Sequence, residues 1–339
     1  MRKLLNTLYI TQDDVYLRLE NSNLVCVRNN EVVFQIPIVN IENIVCFSYL
    51  GCSPALMGEC VERCIPINFI SPGGKFWAKV VGMTRGNVFL RVQQIDVFKD
   101  HKIELCRNTV LAKVKNTIKL IKRSLHDHEE MRADEEITRV INVLNANLEK
   151  LLTVEEVSSI LGIEGGCAEE YFSVFGKLIT HSEISEPFQM RTKRPPLDPV
   201  NAVLSFLYTL ATSDYSAALE VVGLDSYYGF YHALRSGRAS LACDLVEETR
   251  CIVERFTIGL FNLHILTDDD FDRQISGAVL LNNDGRKKVI QRWQEKKRDD
   301  LMHPYLKQKI PLGLLPYVQA NLLAKYVRGD IDLYPPYLE

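Results

Sequence analysis

Over the first 80 positions, short runs of β-branched and aromatic residues alternate with polar ones. VYLRLE (15–20), NLVCVRN (23–29), EVVFQIPI (31–38) and NIVCFSYL (43–50) are strand-length and are separated by turn formers such as NSN and RNNE. The alternation in VYLRLE and VVFQIPI predicts a half-buried antiparallel sheet. SPALMGECVERC (53–64) interrupts with a helix, for which Ser53 suits the N-cap and Pro54 the first helical position. IPINFIS returns to strand, SPGG (71–74) predicts a turn, and KFWAKVVG completes a hairpin.

From about residue 86 the period becomes helical. NVFLRVQQI and HKIELCRNTVLAKVKNTIKLIKRSL (101–125) open this half, and helices are expected near 135–150, 155–162, 167–180, 199–213, 215–223, 239–257, 287–301 and 315–327. RTKRPPLDP (191–199) reads as a stiff connector, because consecutive prolines fix φ and exclude helix. No strand is expected after the change of period. The fold class is therefore α+β: a small β-rich N-terminal domain (1–85) followed by a large all-α C-terminal domain (86–339).

Composition adds bounds. The 339 residues suffice for two or three domains with real cores, and 47% hydrophobic with 24% charged residues is ordinary for a globular chain. A net charge of −3 argues against blanket coating of nucleic acid but leaves a local basic surface open. The apolar start of MRKLLNTLYITQDD is broken by Asn6 and Thr7 without a small-residue cleavage site, so no secretory signal is expected. No run approaches the ~18 apolar residues of a membrane span. The nine cysteines include no CxxC pair, and Cys60 and Cys64 lack a second ligand pair, so they read as reduced thiols of a cytoplasmic protein.

Charge is segregated in the helical half. Residues 101–125 carry Lys102, Arg107, Lys113, Lys115, Lys119, Lys122 and Arg123 against Glu104 alone, and 286–298 carry seven basic residues against Glu295. Each run alone reads as a solvated helix face; together they also admit a polyanion partner.

Three stretches carry candidate chemistry. In LGIEGGCAEEYF (161–172), Glu164 is bracketed by Gly162, Gly165 and Gly166, reading either as a helix-to-helix turn or as a carboxylate aimed into a cleft from a helix break. In PFQMRTKRPPLDPVNAVLSF (187–206), Arg191 and Arg194 precede the prolines, reading as an exposed pair or as forks held for phosphate. In YHALRSGRASLACDLVEETR (231–250), Asp244 and Glu247 are i, i+3 neighbours on a helix whose apolar stripe is Leu241, Leu245, Ile252 and Phe256. His232 lies upstream in an aromatic run. Taken singly, such a histidine is more often a packed core residue, and such acids more often a solvated face.

Taken together, two carboxylates and an imidazole make a mixed oxygen and nitrogen site suited to Mn²⁺ or Mg²⁺. With Arg191, Arg194, Arg235 and Arg238 near in sequence, such a site could polarise a phosphodiester. No GxxxxGK[ST], GxGxxG or GxSxG motif is present, which removes support for nucleotide hydrolysis, dinucleotide redox chemistry and α/β-hydrolase chemistry.

GIEG followed by A-x-x-Y-F, then EPF-x-x-R-x-x-RPP-x-DP-x-N-A-x-LSF-x-Y, then H-x4-GR-x-SLA-x-DL-x-EE-x-R resemble, in that order, the CRISPR-associated adaptation integrase. The resemblance covers essentially the whole chain, and MRKLLNTLYIT and YPPYLE resemble its type I-C branch. It implies a metal-dependent DNA endonuclease and integrase that acquires new spacers. Glu164, His232 and Glu247 match the family's metal ligands and Asp244 the accompanying acid; the family often has aspartate at the position of Glu247. It also implies a homodimer joined through the N-terminal domains, bridged by a small second adaptation protein, and carrying a DNA duplex, the prespacer. Each prespacer 3′-OH then attacks a phosphodiester at an end of the CRISPR repeat, a transesterification needing no nucleotide cofactor. Arg191, Arg194, Arg235, Arg238 and Arg250 are the candidates for phosphate contacts on double-stranded DNA. The competing readings are a stand-alone nuclease or resolvase for branched DNA, and a non-catalytic DNA-binding scaffold.

Overall fold

The computed structural model describes residues 6–12, 14–71, 76–80, 88–182 and 184–339. The expected boundary at 85/86 and residues 72–74 of the SPGG turn lie outside the described residues.

Turn chemistry shapes the N-terminal half. Between β2 (Tyr16–Glu20) and β3 (Asn23–Arg28), Asn21 and Ser22 take φ of 47° and 62°, and between β3 and β4 (Glu31–Pro37), Asn29 and Asn30 take 49° and 67°. Both are two-residue turns with positive φ at each position, the geometry that matches strand twist. They close the expected antiparallel sheet β2–β3–β4, in which Leu17 faces Cys26. A second sheet, in the order β1 (Thr7–Ile10), β5 (Asn43–Cys46), β6 (Ile67–Ile70) and β7 (Phe76–Val80), is mixed: β1, β5 and β6 are parallel and only β7 is antiparallel. The sequence reading missed β1 and the parallel pairing. Helix α1 (Pro54–Glu62), capped by the Ser53 side chain, is the crossover that parallel strands require. Leu17, Leu24, Ile44, Leu56, Cys60 and Ile67 form a fully buried core between these elements.

The second half is helical: α2 (Val88–Asp100), α3 (Lys102–Asp127), α4 (Glu135–Leu151), α5 (Val157–Phe175), α6 (Pro199–Val222), α7 (Ser240–Asn262), α8 (Asn283–Lys297) and α9 (Leu315–Val327). Two expected breaks do not occur. Residues 155–162 and 167–180 belong largely to one helix, α5, so Glu164 and its glycines lie mid-helix rather than in a turn. Residues 199–213 and 215–223 form α6, where Asp214 pairs with the buried Lys297 instead of ending the helix. Asp198 and Pro199 open α6, and Gly223 closes it at φ 89°.

The all-α expectation needs one correction. Two short hairpins, β8 (Phe271–Arg273) with β9 (Val279–Leu281) and β10 (Asp300–His303) with β11 (Gln308–Pro311), join the helices. Strands of three or four residues carry too few repeats to register as a period. Helices α3, α6 and α7 form the centre of the core, to which Phe47 of the β-rich half adds a stacked ring on Phe206. Among the described residues no disulfide forms, and no helix is long and apolar enough to cross a membrane.

Candidate active site

Helix α7 is buried on nearly every side, and its acids are where helix acids are least expected. Asp244 is 0% exposed and Glu254 1%, so each must be paired or hydrogen-bonded. Asp244 meets that need by itself. Its Oδ2 accepts from the backbone N–H groups of Phe230 (2.8 Å) and Tyr231 (3.0 Å), and its Oδ1 from those of His232 (2.9 Å) and the His232 Nδ1 (2.7 Å). Gly229 lets the loop wrap this closely, since a methyl there would collide with the carboxylate. Asp244 is thus occupied as the anchor of the His232 loop. An Nδ1–H donated to Asp244 leaves Nε2 of a neutral His232 with its lone pair free.

One turn further along α7, Glu247 faces a different partner. Lys113 of α3 places its ammonium on both Glu247 and Glu164 of α5, so three helices deliver one cation and two carboxylates to one place. Burial by itself would raise the Glu247 carboxyl, but Arg250 and Lys113 beside it hold it well below the usual carboxylate range. Tyr231 joins the two parts: its ring lies 4.9 Å from that of His232, and burial together with Glu164 and Glu247 pushes its hydroxyl well above the usual phenol range.

Arg250 is built into this cluster. Its Nη1 donates to Glu247 (2.8 Å), its Nε to Glu254 (2.9 Å) and its Nη2 to the Tyr208 hydroxyl (3.0 Å), which itself donates to Glu254 (2.6 Å). Arg191 is likewise engaged, donating to Asn201 Oδ1 (2.6 Å) and Ser205 Oγ (3.2 Å) beside the Tyr208 ring. Arg238 braces its own loop through the Ala233 carbonyl, whereas Arg194 and Arg235 are exposed. Of the α3 run, Lys113 turns inward while Lys115, Lys119, Lys122 and Arg123 face solvent. The α8 run is largely spent on pairs: Lys288 with Asp270, Arg292 with Glu295, Lys296 with Asp299 and Lys297 with Asp214.

The C-terminal segment backs α7. Glu248 Oε2 accepts from Gln319 (2.9 Å), the Tyr334 hydroxyl (3.0 Å) and the Tyr337 N–H (3.0 Å). Asn116 of α3 donates to the Glu248 and Tyr337 carbonyls, both at 2.9 Å.

The sequence of the family described as CRISPR associated protein Cas1 matches residues 8–295. The chain belongs to the Cas1 family. It is 40% identical over 99% of its length, and 99% of the relative's, to the CRISPR-associated endonuclease Cas1 2 of Rhodospirillum rubrum. The fold resembles a casposase bound to integration product (TM-score 0.84, 19% identity, 98% of this chain and 94% of that one). It also resembles part of a longer chain in a Cas6-RT-Cas1–Cas2 complex (TM-score 0.85, 20% identity), matching all of this chain and 37% of that one.

For this Cas1-family chain, the donors on offer are two carboxylates and an imidazole Nε2, the set a hard divalent cation takes. As the side chains lie, no three His, Cys, Asp or Glu among the described residues gather around one point. Lys113 stands as a cation on the carboxylate pair, marking where positive charge is wanted. Glu164, Glu247 and His232 could therefore hold an ion, whereas both Asp244 oxygens are taken. Lys113, Tyr208, Tyr231 and Glu254 were not singled out from sequence. Lys113 had a signal, since it shares the inward stripe of α3 with Val110, Thr117 and Leu120.

Proposed function

We propose that this chain is a metal-dependent DNA endonuclease and integrase of CRISPR adaptation, with Glu164, Glu247 and His232 Nε2 holding Mg²⁺ or Mn²⁺. The observation that carries this reading is the convergence of Glu164 and Glu247 on one cationic position, with Tyr231 linking them to a histidine whose other nitrogen is committed to Asp244. When bound, the ion supplies Lewis acidity to the scissile phosphate and aligns the incoming 3′-OH. Asp244 keeps the His232 ring in one orientation and one tautomer. Arg250 fixes the Glu247 rotamer from the far side, with Tyr208 and Glu254 satisfying the rest of its fork. Arg194, Arg235 and the outer face of α3 (Lys115, Lys119, Lys122, Arg123), all exposed, are the candidates for contacts with phosphates of double-stranded DNA, the prespacer and the CRISPR repeat. Arg191, Arg238 and Arg250 would act on DNA through the elements they brace.

In the transfer step the prespacer 3′-oxygen forms a bond to phosphorus as the repeat's own bridging P–O bond breaks. The hydroxyl proton leaves the attacking oxygen and the departing oxygen takes one up, so no nucleotide is consumed. The working assembly is a homodimer in the cytoplasm with a small second CRISPR adaptation protein; the similar fold within a Cas6-RT-Cas1–Cas2 complex supports the second protein.

The test incubates the protein with a short duplex and a supercoiled repeat plasmid, with Mn²⁺ or with chelator. Joined half-site products that vanish with chelator and with Glu164→Ala are expected. Cutting of branched DNA without joining would favour a resolvase, and binding without product under either metal a scaffold.

A further inference from the structure

Lys113 sits in the site as a charge that a divalent ion must compete with. It lies on the inward stripe of α3, 8% exposed, and its ammonium rests on Glu164 and Glu247. A buried ammonium is costly unless paired, and two facing carboxylates disfavour each other's charge unless a cation lies between them. Each half of this arrangement therefore needs the other. Asp244 offers the ammonium no alternative, because its oxygens are filled by the His232 loop. Arg250 holds Glu247 from the opposite side but is itself locked by Glu254 and Tyr208. Lysine, by contrast, is a point charge on a flexible four-carbon stem and can swing away.

We propose that Lys113 is a tethered counter-cation: its ammonium holds Glu164 and Glu247 together in the ion-free protein and leaves them when a divalent ion binds. The inference rests on reading the site as a metal centre. It makes Lys113 a positioning residue that keeps the two carboxylates adjacent before loading, and lowers the affinity for the ion in doing so. The ion meets a site that is open only in the fraction of molecules whose lysine has moved.

The experiment measures Mn²⁺ binding by calorimetry in wild type, Lys113→Met and Glu164→Gln, and thermal melting of each in chelator. Lys113→Met should bind Mn²⁺ about tenfold or more tightly than wild type, since an ion pays no population cost at a site with no resident cation. The same variant should melt lower than wild type in chelator, with Glu164 left without its cation and Glu247 holding Arg250 alone. As a check that needs no substitution, acylation of Lys113 in the wild-type protein, read by mass spectrometry, should be slow in chelator and faster with Mn²⁺. Should Lys113→Met fail to fold, the acylation result decides. If wild type binds Mn²⁺ and loses it with Glu164→Gln, but Lys113→Met binds no more tightly or acylation is unchanged by Mn²⁺, the counter-cation proposal is overturned and the metal reading stands. If neither wild type nor Lys113→Met takes up Mn²⁺, the metal reading falls and this proposal with it.

Discussion

Asp244→Asn is the sharpest single-atom probe of how the His232 loop is held. The substitution keeps shape and volume but turns one accepting oxygen into an NH₂ group. Each Asp244 oxygen now serves two donors: Oδ2 the N–H groups of Phe230 and Tyr231, Oδ1 the N–H and Nδ1 of His232. With the NH₂ group toward Phe230 and Tyr231 two backbone donors lose their acceptor; turned toward His232 it costs that residue's N–H its acceptor and forces the ring to the other tautomer. At about 1–3 kcal/mol for each buried donor left unmade, the cost is about 1–6 kcal/mol. The upper end is a large part of the roughly 5–15 kcal/mol by which a domain is stable. Urea unfolding followed by circular dichroism in chelator reads it directly. A double-mutant cycle with His232→Ala isolates the Nδ1 bond, for which a coupling of about 1–3 kcal/mol is expected for a hydrogen bond to a charged group. If the amide keeps its oxygen on the backbone pair, the imidazole loses its Nδ1 acceptor and strand joining should fall with it. An Asp244→Asn protein within about 0.5 kcal/mol of wild type would refute the anchoring role.

Burial pushes the Glu248 carboxyl up to about 8, so from the ordinary carboxyl range to that value the folded state keeps a proton that the unfolded state releases. Stability should fall as pH rises through this window, and Glu248→Gln should flatten the fall, as urea midpoints at pH 5, 6.5 and 8 will check. Gly166 lies in α5 with nothing within 4 Å of an added methyl; Gly166→Ala should raise the unfolding free energy by about 0.5–1 kcal/mol, and a lowered midpoint would show that the space is not free.

Much of the fold was legible in the sequence because its signals are local. The Asn-rich turns, the Ser53-Pro54 helix start and the change of period after residue 86 each need only neighbouring residues. What escaped depends on distant ones. Strand β1 is four residues long and is defined by its parallel pairing with β5. The GIEGG stretch reads as a break from glycine content alone, yet α5 runs through it, supported by Ile160, Cys167, Tyr171 and Phe172 in the core. At the site, residues of the His232 and α7 stretch were recognisable, but their division of labour was not. Asp244 and Glu247 have the same spacing and chemistry in the sequence, and only the wrap of residues 229–232 shows that one carboxylate is filled by the backbone. Lys113 read as one of seven basic residues on a helix, and its partners lie 51 and 134 residues away.

The most direct measurement is the anomalous signal of Mn²⁺ in crystals of this protein. The expected result is one ion bound by Glu164, Glu247 and His232 Nε2, with Asp244 still on His232 Nδ1. An ion ligated by Asp244, or crystals in which the Glu164–Glu247 pair takes up no Mn²⁺, would contradict the proposed centre.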